Sequence, residues 1–136
     1  MAKATALDVQ DLSFTPMMHP SLYDGQHMPF KDKSFDTALI LTVLHHVADQ
    51  KTILLEAKRV AKRIIIIEDV HYNTFHKYIT FFMDSLFNLE FFGHPHSNRD
   101  NTEWRAVFKQ YKLKLVEEKA MKSFLVLRHR MYVLDT

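Results

Sequence analysis

The stretch from residue 23 to residue 69 reads YDGQHMPFKDKSFDTALILTVLHHVADQKTILLEAKRVAKRIIIIED. At its centre Thr37 to Leu44, TALILTVL, is apolar without alternation, as expected of a strand covered on both faces in a parallel sheet. From Asp49 to Ala61 the pattern turns helical. Asp49 suits an N-cap, and Ile53, Ala57 and Val60 fall on one face. Ile64 to Ile67 then gives a β-branched run that closes on Glu68-Asp69, the clearest strand in the chain.

Working outward, residues 4 to 9 (ATALDV) form a short apolar run ending beside an acid and read as a buried strand. A loop with Pro16 and Pro20 follows, then a short strand from Ser21 to Tyr23 and the turn Asp24-Gly25. Residues 30 to 36 are polar and turn-like. Downstream, Phe75, Tyr78, Ile79, Phe82, Met83, Leu86 and Phe87 recur at helical spacing, which predicts a long helix over Thr74 to Glu90. Such an aromatic stripe is core far more often than it is a substrate pocket. After the polar loop GHPHSNRDN, a shorter helix from Thr102 to Tyr111 sets Trp104, Val107, Phe108 and Tyr111 on one side. Lys112 to Lys119 and Ser123 to Leu134 close the chain as two strands near enough to pair antiparallel. Buried strands alternating with helices predict a single α/β domain over residues 1 to 136, with an antiparallel hairpin at one edge.

Composition narrows the function. The formal charge of +2, with basic and acidic residues interspersed, gives no nucleic-acid footprint. No segment approaches the roughly 18 apolar residues that a membrane span requires. The absence of cysteine excludes disulfides and thiolate metal sites, and with no apolar signal region after Met1 the expected location is cytoplasmic. Neither a phosphate loop nor a Ser/His/Asp order is present.

The elements from Asp24 to Ile67 resemble, in order and spacing, the middle of the class I S-adenosylmethionine-dependent methyltransferases of the type 11 kind. The matching residues are Asp24-Gly25, Pro29-Phe30, Ser34-Phe35-Asp36, Val43-Leu44-His45-His46, Glu56, Arg59-Val60 and Ile64 to Ile67. The final hairpin and the Trp104 helix resemble the family's C-terminal end. The resemblance implies a Rossmann-like methyltransferase sheet, mostly parallel, with methyl transfer from S-adenosylmethionine to a small acceptor. It implies that Asp8 holds the ribose diol and that Asp24 accepts from the adenine amino group. Gly25 would let the backbone approach the ring, and the main chain at Leu41 and Thr42 would pass the methionine part. Asp69 or His46 would take a proton, with His45, Glu68, His94 and His96 on the substrate side.

The family's opening strand and its acid-x-Gly-x-Gly loop have no counterpart among the residues, which hold two glycines in all. The Pro-Gly-Gly turn before the isoleucine strand is replaced by Ala61-Lys62-Arg63. Two registers fit ATALDV: the family's second strand with everything upstream absent, or its first strand with the glycines lost. The fifteen residues between Asp8 and Asp24 favour the former. The first strand-helix unit would then be missing from the sheet, leaving an apolar gap with unpaired backbone. Two functions follow as expectations: a methyltransferase, or a catalytically inactive module that forms homo-oligomers or binds a partner through exposed sheet edges. His94-Pro95-His96 invites a metal reading, but with no matched carboxylate none is assigned.

Overall fold

The computed structural model of the chain describes residues 4–13, 19–71, 78–79, 99–121 and 128–136. Their strands are β1 (Leu7–Asp8), β2 (Ser21–Leu22), β3 (Phe35–Leu41), β4 (Ala61–Asp69), β5 (Lys114–Met121) and β6 (His129–Asp135). The helices are α1 (Gln50–Val60) and α2 (Asn101–Gln110), and a 3-10 turn spans Leu44–His46. Tyr78 and Ile79 are helical, while the rest of the stretch read as the long helix lies outside the described residues.

The strands form two sheets. β1 and β2 pair parallel, through Ser21 N–H to the Ala6 carbonyl at 2.9 Å and Tyr23 N–H to the Asp8 carbonyl at 3.1 Å. The larger sheet has the order β3-β4-β6-β5, with β3 and β4 parallel and the β4–β6 and β6–β5 pairs antiparallel. The expected α/β architecture and C-terminal hairpin are therefore present.

Local chemistry explains the β3-α1-β4 unit. Asp49 caps α1, accepting from Thr52 N–H at 3.1 Å and from the Thr52 hydroxyl at 2.7 Å. Ile53, Leu54, Ala57 and Val60 bury one helix face. The helix then runs without a loop into β4, since Ala61 is both C-cap and first strand residue. Lys33 Nζ bonds the Lys58 and Ala61 carbonyls at 2.9 and 3.0 Å, supplying the helix end with donors. No Pro-Gly-Gly turn is needed.

The core lies on one face of the larger sheet. Ile40, Ile64, Ile66, Tyr132 and Leu134 meet Ile53, Leu54 and Ala57 of α1 and Trp104 and Phe108 of α2. α2 starts at a capping box: Asp100 accepts from Glu103 N–H at 2.8 Å, and Glu103 accepts from Asp100 N–H at 2.7 Å. The opposite face is barer. Leu39 and Leu41 are 62% and 50% exposed, and their β4 neighbours Ile65 and Ile67 are half-buried.

Two expectations for β3 are corrected. Among the described residues the apolar run is covered on one face only, because alternate strand residues point oppositely and both described helices pack on the Ile40 side. The strand also ends at Leu41 rather than Leu44. Thr42 turns into the left-handed region, φ 52°, and the amides after it bond a side chain instead of a neighbouring strand.

Candidate functional site

In an open parallel sheet ligands gather at the carboxyl ends of the strands. Here those ends carry Asp8 on β1, Tyr23-Asp24-Gly25 after β2, Leu41-Thr42 after β3 and Glu68-Asp69 on β4. Asp8 is exposed, and its Oδ1 accepts from Val9 N–H at 2.6 Å and Gln10 N–H at 3.3 Å. Asp24 is also exposed. Its Oδ1 accepts from Gln26 N–H and His27 N–H, both at 2.8 Å, and these bonds hold the carboxyl below its usual pKa. Gly25 has φ 77°, and a Cβ there would stand 3.2 Å from Val9 Cγ1. The positive φ favours glycine here, and a Cβ would make a tight contact with the Val9 side chain.

The turn bearing Asp24 is anchored to α1. Glu56 accepts from Met28 N–H at 2.8 Å, while Arg59 donates to the Met28 carbonyl at 2.8 Å and the Phe30 carbonyl at 2.7 Å. Arg59 Nε and Nη2 also bond Glu56 at 2.8 and 2.7 Å, and the guanidinium keeps the Glu56 carboxyl low in pKa. The Glu56 and Arg59 positions of the sequence pattern thus fix the loop between β2 and β3.

The β4 end is mostly closed. Glu68 is fully buried and His45 is 2% exposed; their Oε2 and Nδ1 lie 2.6 Å apart. The structure therefore brings these two together in the interior rather than onto an open surface. Glu68 Oε1 accepts from Val43 and Leu44 N–H at 2.9 and 2.7 Å. His46 is half-buried, its ring centroid 4.0 Å from that of His45. Asp69 is 5% exposed, with His129 Nε2 3.1 Å from its Oδ1. His94 and His96 lie outside the described residues. Among the described residues no group of three His, Asp or Glu side chains could hold a metal, and no helix is long and apolar enough to cross a membrane.

Three participants were not singled out from the sequence: Gln50, Arg99 and His129. Gln50 Nε2 donates to the Leu44 carbonyl at 2.7 Å, and Arg99 bonds Gln50 Oε1. A cleft of about 240 Å³ between α1 and α2 has Gln50, Arg99 and Tyr111 on its walls. It lies on the helical side, away from Asp8 and Asp24.

The fold can now be matched. Residues 2–65 fit the family model described as a methyltransferase domain. A candidate methyltransferase from Bacillus halodurans C-125 superposes with a TM-score of 0.67 at 13% identity, covering 98% of this chain and 79% of its own. An S-adenosylmethionine-dependent methyltransferase from Methanosarcina mazei gives 0.64 at 15% identity, over 87% and 66%. The chain shares the fold of these methyltransferases, and the family model covers just under half of it. A chain of the complex between the Haloferax volcanii methyltransferase activator and its candidate methyltransferase gives 0.63 at 14% identity. That superposition takes in 90% of this chain and 63% of the Haloferax chain. No curated protein sequence matches the domain. In its sheet, the order β3-β4-β6-β5 with a separate β1–β2 pair leaves β3 with one strand neighbour among the described residues.

Proposed function

We propose that this methyltransferase-like domain binds S-adenosylmethionine at the carboxyl ends of β1 to β3 and methylates a small acceptor. The observation that carries the reading is the set of groups gathered there. Asp8 and Asp24 are exposed acids with one oxygen each committed to a local turn, and Gly25 keeps side-chain atoms off the loop. These acceptors suit a nucleoside: Asp8 would accept from the ribose diol, Asp24 from the adenine amino group, and Gly25 would leave room for the ring. The main chain at Leu41 and Thr42 would lie along the methionine part.

When bound, S-adenosylmethionine supplies an electrophilic methyl group. The protein's share is alignment of the acceptor and removal of its proton. Asp69, at the end of β4 with His129 Nε2 3.1 Å from its Oδ1, would take that proton; His46, half-buried after β3, would be the alternative base. His94 and His96 remain substrate-side candidates by sequence. A cytoplasmic location goes with this reading, since the chain holds no cysteine for an oxidising compartment to pair.

Calorimetric titration with S-adenosylmethionine and S-adenosylhomocysteine tests the proposal. Micromolar binding is expected. A folded sample that takes up no ligand at millimolar concentration would end the enzymatic reading.

A second reading, a non-catalytic module that self-associates, rests on the edge of β3 that meets no other strand among the described residues. Thr42 N–H bonds the Ile67 carbonyl at 2.7 Å, so by alternation the backbone groups of Thr37, Leu39 and Leu41 point away from β4. An apolar strand with unpaired groups of this kind invites pairing with a second copy. The expected result is concentration-dependent dimerisation in sedimentation velocity, weakened by Leu39→Lys. A monomer at all concentrations would eliminate this reading.

A further inference from the structure

Glu68 has no route to solvent, and one turn engages its carboxyl group completely. Oε1 takes the Val43 and Leu44 amides at 2.9 and 2.7 Å, and Oε2 lies 2.6 Å from His45 Nδ1. Three consecutive residues are thereby gathered on one acid from the neighbouring strand. The residue just before them, Thr42, is held at φ 52° with its amide on the Ile67 carbonyl at 2.7 Å. A β-branched residue in this region is strained and persists only where its surroundings impose the geometry.

The far side of the same turn is held as well. Gln50, 8% exposed, donates to the Leu44 carbonyl at 2.7 Å. Arg99 bonds its other amide atom and lies 5.2 Å over the Trp104 ring. The turn after β3 is therefore gripped by β4 on one side and, through Gln50 and Arg99, by the start of α2 on the other.

Stability alone does not call for this arrangement. An interior acid must recover its lost hydration through its bonds, and well-packed apolar residues often do as well or better. What the acid provides is geometry. We infer that Glu68 is a positioning residue: it presets the Leu41–Val43 main chain against which the methionine part of the cofactor would rest, with Gln50 and Arg99 holding the other side. This rests on the cofactor reading above. It also gives Glu68 a different role from that of a group facing the acceptor.

The test compares Glu68→Gln with Ile66→Val in the full chain. Ile66 is equally buried on the same strand and the same sheet face, but belongs to the core rather than to the bonds that grip the turn. Glu68→Gln should speed amide hydrogen exchange at Val43 and Leu44 by on the order of tenfold or more, leaving Ile64 to Ile67 protected. The dissociation constant for S-adenosylhomocysteine should rise by a similar factor. Ile66→Val should lower the melting temperature without moving either. Should Glu68→Gln fail to fold, the near-isosteric Gln50→Met should show the same pattern more weakly, centred on Leu44.

Unchanged exchange at Val43 and Leu44 would overturn the proposal. So would a loss of affinity no greater than that of Ile66→Val when the wild type binds. A wild type without affinity would instead remove the cofactor reading and the cofactor half of this one. The exchange pattern would then still decide whether Glu68 sets the turn.

Discussion

Trp104→Ala is expected to lower the unfolding free energy by about 3–5 kcal/mol, the range for deleting a buried large aromatic. Trp104 is fully buried at the start of α2. Its ring stacks on Phe108 with centroids 5.7 Å apart, and Tyr132 of β6 stands at 6.5 Å. Phe108 and Tyr132 meet edge to face at 5.0 Å, so the indole is one side of an aromatic triangle joining α2 to the sheet. Domains of this size hold only about 5–15 kcal/mol in total, so the variant would sit near the limit of folding. A fall in melting temperature of roughly 10–20 °C is the expected readout. Trp104→Phe should cost far less than the alanine change. Among the described residues no acceptor reaches the buried indole Nε1, so phenylalanine removes an unsatisfied donor together with part of the ring. A loss below about 1 kcal/mol for Trp104→Ala would mean that α2 does not dock on β6 as described.

This aromatic cluster is half legible in the sequence. Spacing places Trp104 and Phe108 on one helix face, but their partner Tyr132 lies on β6 and no local pattern links them. The same division runs through the whole chain. Ile64 to Ile67 announce β4 because β-branched residues suit a strand whatever surrounds them. Asp49 announces the start of α1 because a cap is a short-range contact, here with Thr52. The start of α2 carries a local signal too, since Asp100 and Glu103 stand at capping-box spacing and start the helix one residue earlier than expected.

Other features have no local signal. The run from Thr37 stays largely apolar past the end of β3 to Leu44, which is why the strand is expected to run that far. It stops at Leu41 because Glu68, distant in sequence, takes the Val43 and Leu44 amides. The one-sided burial of β3 depends on which faces the helices cover, and periodicity cannot report that in an unbroken apolar run. The grips of Arg59 on Met28 and Phe30, and of Arg99 on Gln50, join side chains to distant backbone or to a distant amide. At the site, the pattern of acids and glycine at strand ends marks Asp8, Asp24 and Gly25. The inward turn of Glu68 appears only once β3 and β4 lie side by side.

Gly25→Val should abolish measurable S-adenosylhomocysteine binding, a loss on the order of a hundredfold or more, while lowering the melting temperature by only a few degrees. Two effects combine. A β-branched residue at φ 77° carries strain of about 1–2 kcal/mol, and its Cβ would press on Val9 Cγ1 from 3.2 Å. The strained backbone at residue 25 would then shift the loop, although Glu56 and Arg59 pin it at Met28 and Phe30. Displacement would fall on Asp24 and Gly25 themselves, where the adenine is proposed to lie, and far from the core around Ile64 and Trp104. Gly25→Asn separates the two effects, because asparagine tolerates positive φ but still adds a side chain. If Gly25→Asn binds as weakly as the valine variant, close approach of the ring to the backbone is what the glycine provides. If the asparagine variant binds like the wild type, loop conformation is the requirement. Affinity unchanged in both variants would place the adenine elsewhere and remove Asp24 and Gly25 from the proposed site.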